Sequence, residues 1–326
     1  MKPRLLVLSL GGTITMLPSA DGGIAPKLGA EELVASVPAL ADAADIEARS
    51  PFRLPSPSLT PEMLVAVAGE INAAFAGGVD GAVVIQGTDT IEESAYILDL
   101  LVQGDQPVVV TGAMRGADAA GADGPANLLS AVRVAAAPEA RGLGTLAVLN
   151  DDIHAARFVQ KSHTALPSAF LSPLVGPIGT MIESRPAFYV HLKRNPHLPS
   201  DIGPLPPVAL VKCPMGDDTR LLEALVGLGY AGVVIEGMGA GHVHADAAPV
   251  LGELAKAMPV VLASRVMTGP VFTETYGYPG AEIDLIDRGL LTAGYLSGLK
   301  ARILLSLALR AGSGREALEA AFAPYA

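Results

Sequence analysis

Gly81-Ala82-Val83-Val84-Ile85-Gln86-Gly87-Thr88-Asp89-Thr90-Ile91 decides the fold class of this chain. Gly81–Ile85 is a short apolar run with no polar break, the pattern of a strand buried on both faces. Gln86-Gly87 ends it. Ile91–Val102 then takes up helical periodicity, with acidic residues in the first turn, where the helix dipole favours them. Strand, glycine turn and helix in that order make half of a βαβ unit.

The same punctuation recurs on either side. Arg4–Leu8 is apolar and runs into Gly11-Gly12-Thr13. Pro61–Ala76 reads as a helix, with Pro61 at its first position and Thr60 as its cap. Pro107–Thr111 and Thr145–Asn150 read as strands, and residues 123–137 as the helix between them. A parallel sheet covered by helices on both faces is expected. Residues 189–207 break the rhythm with Pro196, Pro199, Pro204, Pro206 and Pro207, and read as a linker. The pattern then restarts. Strands are expected at Val208–Lys212, Ala231–Ile235 and Val260–Ala263, and helices at Thr219–Leu228 and Ala247–Met258. A final helix is expected over Leu299–Arg310. The prediction is an α/β protein in two parts: a larger N-terminal catalytic domain, 1–188, with a mostly parallel sheet, and a smaller C-terminal α/β domain, 208–326.

Composition bounds the partners. The chain has 326 residues, half of them hydrophobic, and a mean hydropathy of +0.43. That suits buried parallel strands and subunit interfaces. No run approaches the roughly 20 unbroken apolar residues of a spanning helix, so no membrane is expected. Met1–Leu10 has the basic start and apolar run of a signal peptide, but the run is short and enters Gly11-Gly12-Thr13 without a small-residue cleavage site. It reads as the first strand of a cytoplasmic protein. A net charge of −11 argues against nucleic acid. The single cysteine, Cys213, excludes an internal disulfide and suits a reducing compartment.

Open parallel sheets bind ligands at the carboxyl ends of their strands. Those ends carry Gly11-Gly12-Thr13, Gln86-Gly87-Thr88-Asp89-Thr90, Gly112-Ala113-Met114-Arg115 and Asn150-Asp151-Asp152. A threonine hydroxyl is a weak nucleophile that needs a base and an oxyanion donor set. The glycines before Thr13 free backbone N–H groups for that second task. Thr88-Asp89 adds a hydroxyl and a carboxylate, and a lysine beside them would complete a proton relay. Lys161 is a candidate, though spacing alone does not select it. Taken singly, Gly-Gly-Thr is a common turn and Thr-Asp a common helix cap.

Together these segments resemble a known family. Leu8-Ser9-Leu10-Gly11-Gly12-Thr13-Ile14 and Gly81–Ile91 are similar to the two signatures of bacterial-type L-asparaginases. Gly112–Arg115, Asp123-Gly124-Pro125-Ala126-Asn127-Leu128, Asn150-Asp151, Ser264-Arg265-Val266 and Lys300-Ala301-Arg302 extend the likeness from about Leu5 to the last helix. The resemblance implies an amidohydrolase in which Thr13 attacks the side-chain amide of asparagine and forms an acyl-enzyme. Thr88, Asp89 and Lys161 match the proton-handling set. Ser56 and Asp89 would hold the substrate's head group, and the Ala113 carbonyl its amide. Glu282 matches a glutamate that reaches the substrate amine of a neighbouring subunit. A homo-oligomer, dimer or tetramer, with sites completed by the neighbour is implied, and no cofactor or metal.

The chain also departs from that pattern. Leu10 and Gln86 replace a threonine and a histidine without touching the chemistry. The loop after Thr13 lacks the tyrosine that assists the nucleophile, with Gly23 near its place. Pro57 replaces a glutamine beside Ser56 and offers no side-chain or backbone donor. Tyr276, Tyr278 and His242 are candidate replacements. Hydrolysis of another small amide, a cyclic amide or a lactone therefore stays open, as does a non-catalytic binding protein on this fold. His242-x-His244-x-Asp246 has the alternation of metal ligands on a strand, but flanking glycines point to a loop and no fourth ligand is obvious.

Overall fold

The computed structural model describes residues 2–18, 24–26, 28–199, 203–312 and 314–326. It divides into two compact units, Met1–Asp201 and Ile202–Ala326.

The first unit runs β1 (Arg4–Ser9), a small hairpin β2–β3 (Met16–Pro18, Ile24–Pro26), α1 (Ala30–Ala35), α2 (Leu40–Ala43), β4 (Asp45–Arg49), α3 (Pro61–Ala76), β5 (Gly81–Ile85) and α4 (Ile91–Leu101). It continues with β6 (Val108–Thr111), α5 (Gly124–Ala136), β7 (Thr145–Leu149), β8 (Asp152–Ala155), β9 (Gln160–Lys161), β10 (Phe170–Leu171), β11 (Gly179–Ile182) and β12 (Arg185–Phe188). Eight of these strands form one sheet in the order β12-β11-β8-β7-β6-β5-β1-β4.

Both faces of the central strands are covered, as the apolar runs require. Leu5, Val7, Val83, Ile85 and Val109 share a core with Leu128, Ala131, Val132 and Ala135 of α5. Their neighbours Leu6, Leu8, Val84 and Val110 point the other way and are equally buried, on the face of a sheet whose β6 and β7 also meet α4. Thr60 caps α3 by accepting from the Met63 amide at 3.4 Å, a bond worth about 1 kcal/mol to such a helix.

The sheet is parallel from β4 to β7 and then turns antiparallel across β8, β11 and β12. The mostly parallel sheet that the βα rhythm suggests is therefore present, with its antiparallel part confined to one side. Asn150 and Asp151 sit at φ +52° and +62°, the paired positive φ of a two-residue type I′ hairpin, which Asn and Asp tolerate. They are a hairpin turn, not a βα loop.

The Pro-rich segment is fastened to the first unit over its first ten residues. Residues 189–199 form neither helix nor strand. Even so, Leu198 donates its amide to Leu100, and the Arg194 guanidinium donates to the carbonyls of Val102 and Gly104, each at 2.6 Å. Carbonyls at the end of α4 lack helical partners, and a basic side chain satisfies them.

The second unit holds β13 (Val208–Lys212), α6 (Arg220–Ala224), β14 (Gly232–Gly237), α7 (Ala247–Ala257), β15 (Val260–Ser264), α8 (Glu282–Asp287), β16 (Leu291–Thr292), α9 (Gly298–Arg310) and α10 (Arg315–Phe322). Its four strands are parallel in chain order. The expected final helix is followed by another, α10. Only Leu318 and Phe322 of α10 are buried, too short a stripe to read from sequence. No helix among the described residues is long and apolar enough to cross a membrane.

One buried group makes the first unit acid-sensitive. His154 on β8 is 1% exposed, with Nδ1 2.9 Å from Ser172 Oγ and no partner for Nε2 among the described residues. Burial pushes the imidazole down from 6.5 to about 4. The folded state keeps the ring neutral while the unfolded chain binds a proton near pH 6.5. The stabilisation is therefore intact above pH 6.5 and is lost as pH falls to about 4. It amounts to about 3 kcal/mol. Urea unfolding between pH 7 and pH 4 should show wild type losing about that much more than His154→Gln; equal losses would acquit this histidine.

Candidate active site

Three parallel strands bring the candidate residues together. Ser9 of β1 pairs with Ile85 of β5, and Ile85 with Thr111 of β6, so the three strand ends lie side by side. Pairing continues one step further, with Leu10 N donating to Ile85 O at 2.8 Å and Gln86 N to Thr111 O at 3.0 Å. Gly12 sits at φ +93°, and a Cβ there would fall 2.1 Å from the Gly87 nitrogen. Only glycine lets the two turns touch. Thr13 and Thr88 follow those glycines directly, so the contact sets the two threonine turns against each other.

Each threonine opens a short 3-10 turn, Thr13–Thr15 and Thr88–Thr90. Thr15 secures the first by donating both its amide and its hydroxyl to the Gly12 carbonyl. Gln86 secures the second through its side-chain amide, which donates to the Gly87 carbonyl and Thr90 Oγ1. The histidine-to-glutamine departure thus has a local use. Ser56, 2% exposed, lies against Gly87, and its carbonyl accepts from Thr90 Oγ1 at 3.4 Å. Pro57 is exposed in the 3-10 turn Ser56–Ser58. Gly23 lies outside the described residues.

Lys161 arrives from far along the chain. The two-residue ribbon β9–β10 carries it, with Ser162 N bonded to Ala169 O at 2.7 Å. Its Nζ donates to Thr88 Oγ1 at 2.9 Å and to Asp89 Oδ1 at 2.6 Å. The lysine side chain is 14% exposed and Asp89 60%. An ammonium shared between a hydroxyl and a carboxylate is equipped to move a proton. Ala113 is 1% exposed on the turn after β6. The first unit therefore places Thr13, Thr88, Asp89 and Ala113 just past the carboxyl ends of its central strands, with Ser56 against Gly87 and Lys161 bonded to Thr88 and Asp89.

Glu282 belongs to the second unit and is fully buried at the start of α8. Its Oε1 accepts from the amides of Thr275 and Tyr276 at 3.0 and 2.6 Å, and its Oε2 lies 3.0 Å from His242 Nε2. Burial alone would raise this carboxyl. The amide bonds and His242 outweigh it and hold the group below its usual value. An ionised carboxylate only accepts, so His242 Nε2 carries a hydrogen, and Nδ1 lies 2.9 Å from Tyr278 OH. Glu282, His242 and Tyr278 thus form a chain from the interior to a half-exposed phenol. This arrangement was not legible in the spacing. His244 turns instead to its own loop, where Nδ1 accepts from Asp246 N. Cys213 is buried, and burial pushes its thiol up to about 11, which keeps it unreactive.

Residues 4–194 match the family model described as asparaginase, N-terminal, and residues 207–322 the glutaminase/asparaginase C-terminal domain. A probable L-asparaginase of Deinococcus radiodurans is 37% identical, over 98% of this chain and 97% of its own. A probable periplasmic L-asparaginase of Haemophilus influenzae is 35% identical, over 94% and 88%. Among solved structures, a probable cytoplasmic L-asparaginase from Campylobacter jejuni superposes with a TM-score of 0.90 at 34% identity, covering 99% of both chains.

Proposed function

The chain belongs to the asparaginase family, and on that premise we propose that it hydrolyses L-asparagine to L-aspartate and ammonia through an acyl-enzyme on Thr13. The observation that carries this reading is the Lys161 ammonium, which joins Thr88 and Asp89 across more than 70 residues of chain.

Thr13 Oγ1 gives its proton to the Thr88–Lys161–Asp89 set and adds to the side-chain carbonyl carbon; the C–N bond breaks, and the nitrogen takes that proton from the set and leaves as ammonia. Water then attacks the ester and returns Thr13 to its free form. A hydroxyl oxygen that accepts from an ammonium is the poorer nucleophile, which favours Thr13 over Thr88 for the attack. Ser56 and Asp89 receive the head group of the substrate, and the Ala113 carbonyl accepts from its amide. Glu282 is the residue that would meet the substrate amine of a neighbouring subunit, and its bonds to the Thr275 and Tyr276 amides and to His242 hold the carboxylate in place.

A cytoplasmic homo-oligomer, dimer or tetramer, completes the reading, with small amides as its partners and no nucleic acid or membrane. The charge of −11 and the single buried cysteine support it. Ammonia release from L-asparagine, L-glutamine, other small amides and cyclic amides tests the substrate. Asparagine should lead the panel. Inactivity on asparagine with turnover of another member would move the substrate to that amide, in keeping with Pro57.

A further inference from the structure

We propose that Asp123 and Asn127 are positioning residues that aim the Ala113 carbonyl at the departing amide of the substrate, an inference that rests on the reading above.

Asp123 stands at the N-cap position of α5 but its side chain does not cap the helix backbone. Its carboxylate faces the preceding turn instead. Oδ2 accepts from the Met114 amide at 3.0 Å and Oδ1 from the Arg115 amide at 2.9 Å. Asn127, one helical turn on and 3% exposed, donates its Nδ2 to the Gly112 carbonyl at 2.9 Å and to Asp123 Oδ2 at 3.1 Å. Its Oδ1 accepts from the Asn150 amide at 2.9 Å, in the left-handed turn that ends β7.

These bonds fix both peptide planes that flank Ala113. The Gly112 carbonyl belongs to the plane before it and is held by Asn127. The Met114 amide belongs to the plane after it and is held by Asp123. The Ala113 carbonyl shares that second plane, and in a trans peptide the C=O points opposite to the N–H. Holding Met114 N–H on Asp123 therefore turns the Ala113 carbonyl away from α5. The turn is also wedged on its other flank, since a Cβ on Gly112 would meet the Gln86 carbonyl at 2.4 Å and Thr88 Cγ2 at 3.3 Å. Only an amide side chain at position 127 supplies two donors and one acceptor in these directions.

The test compares two substrates that differ in one respect. L-Asparagine offers its leaving-group N–H to the Ala113 carbonyl. The β-methyl ester of L-aspartate has none, and carries the better leaving group, so an enzyme that turns over the amide also turns over the ester. Asn127→Asp and Asp123→Asn should lower kcat/KM for asparagine by about 30- to 100-fold, the scale of a misplacement near 1 Å. The ester should lose less than about 3-fold. Melting temperatures establish that the variants are folded, and Asn127→Ser stands in for any that is not. Equal losses on both substrates overturn the proposal, because a general disruption would not distinguish them. Full activity on asparagine in a folded variant overturns it too. Wild-type inactivity on asparagine overturns the parent reading, and this inference with it.

Discussion

Lys161→Met should lower kcat for asparagine by about 10²- to 10⁴-fold, the range of a lost acid–base group, while the melting temperature barely moves. The two halves of this expectation have separate causes. The Lys161 ammonium makes the bonds to Thr88 Oγ1 and Asp89 Oδ1 that link the hydroxyl to the carboxylate, and methionine keeps only the apolar stem. Stability is insensitive because Asp89 is 60% exposed and returns to water when its partner goes. Pairs with one exposed member contribute about 0–1 kcal/mol. Lys161→Arg should not restore the rate, since a planar fork cannot replace a compact ammonium at two oxygens 2.9 and 2.6 Å away. The measurement is kcat at saturating asparagine beside a thermal scan. A kcat within about 3-fold of wild type in a folded variant would remove Lys161 from the proton path.

Where the fold was legible, one local signal sufficed. Pro61 with Thr60 marks α3 from its first residue, and the unbroken apolar run Gly81–Ile85 marks β5 to the residue. Strands at the sheet's margins gave no such signal. β4, Asp45–Arg49, alternates exposed and half-buried positions and has too few apolar residues to stand out. β9 and β10 are two residues each and exist only because they pair with each other. The same limit governs the site. The turns that carry Thr13 and Thr88 meet because Gly12 and Gly87 do, and both glycines can be read from sequence. Lys161 reaches Asp89 from 72 residues away through that two-residue ribbon, so residue spacing could not choose it and only resemblance did. Glu282 shows the opposite case. Its residue type was legible, but its three hydrogen bonds lie within loops whose closure depends on tertiary packing. Asp123 reads as the first residue of a helix, but it stands just before α5 and gives its carboxylate to the amides of Met114 and Arg115.

Thr13→Ala should lower kcat by at least about 10⁴-fold, the scale seen when a nucleophile that acts as part of a unit is removed. Thr13 is only half-buried, so the loss of its hydroxyl should change stability by less than about 1 kcal/mol. Adding Lys161→Met to Thr13→Ala should then cost little more, because a relay with no nucleophile to serve contributes nothing further. The result separates two assignments of the hydroxyls. If Thr13 carries the acyl group, acid quench of the wild type during turnover of the β-methyl ester should leave mass on the peptide containing Thr13. Thr88→Ala should slow turnover yet leave that labelled peptide unchanged. If Thr88 carries it, the label moves to the peptide containing Thr88 and survives Thr13→Ala. The Lys161 bond to Thr88 Oγ1 decides the expectation in favour of Thr13. It occupies a lone pair on the Thr88 oxygen, while the hydroxyl hydrogen of Thr88 stays available to pass along the relay.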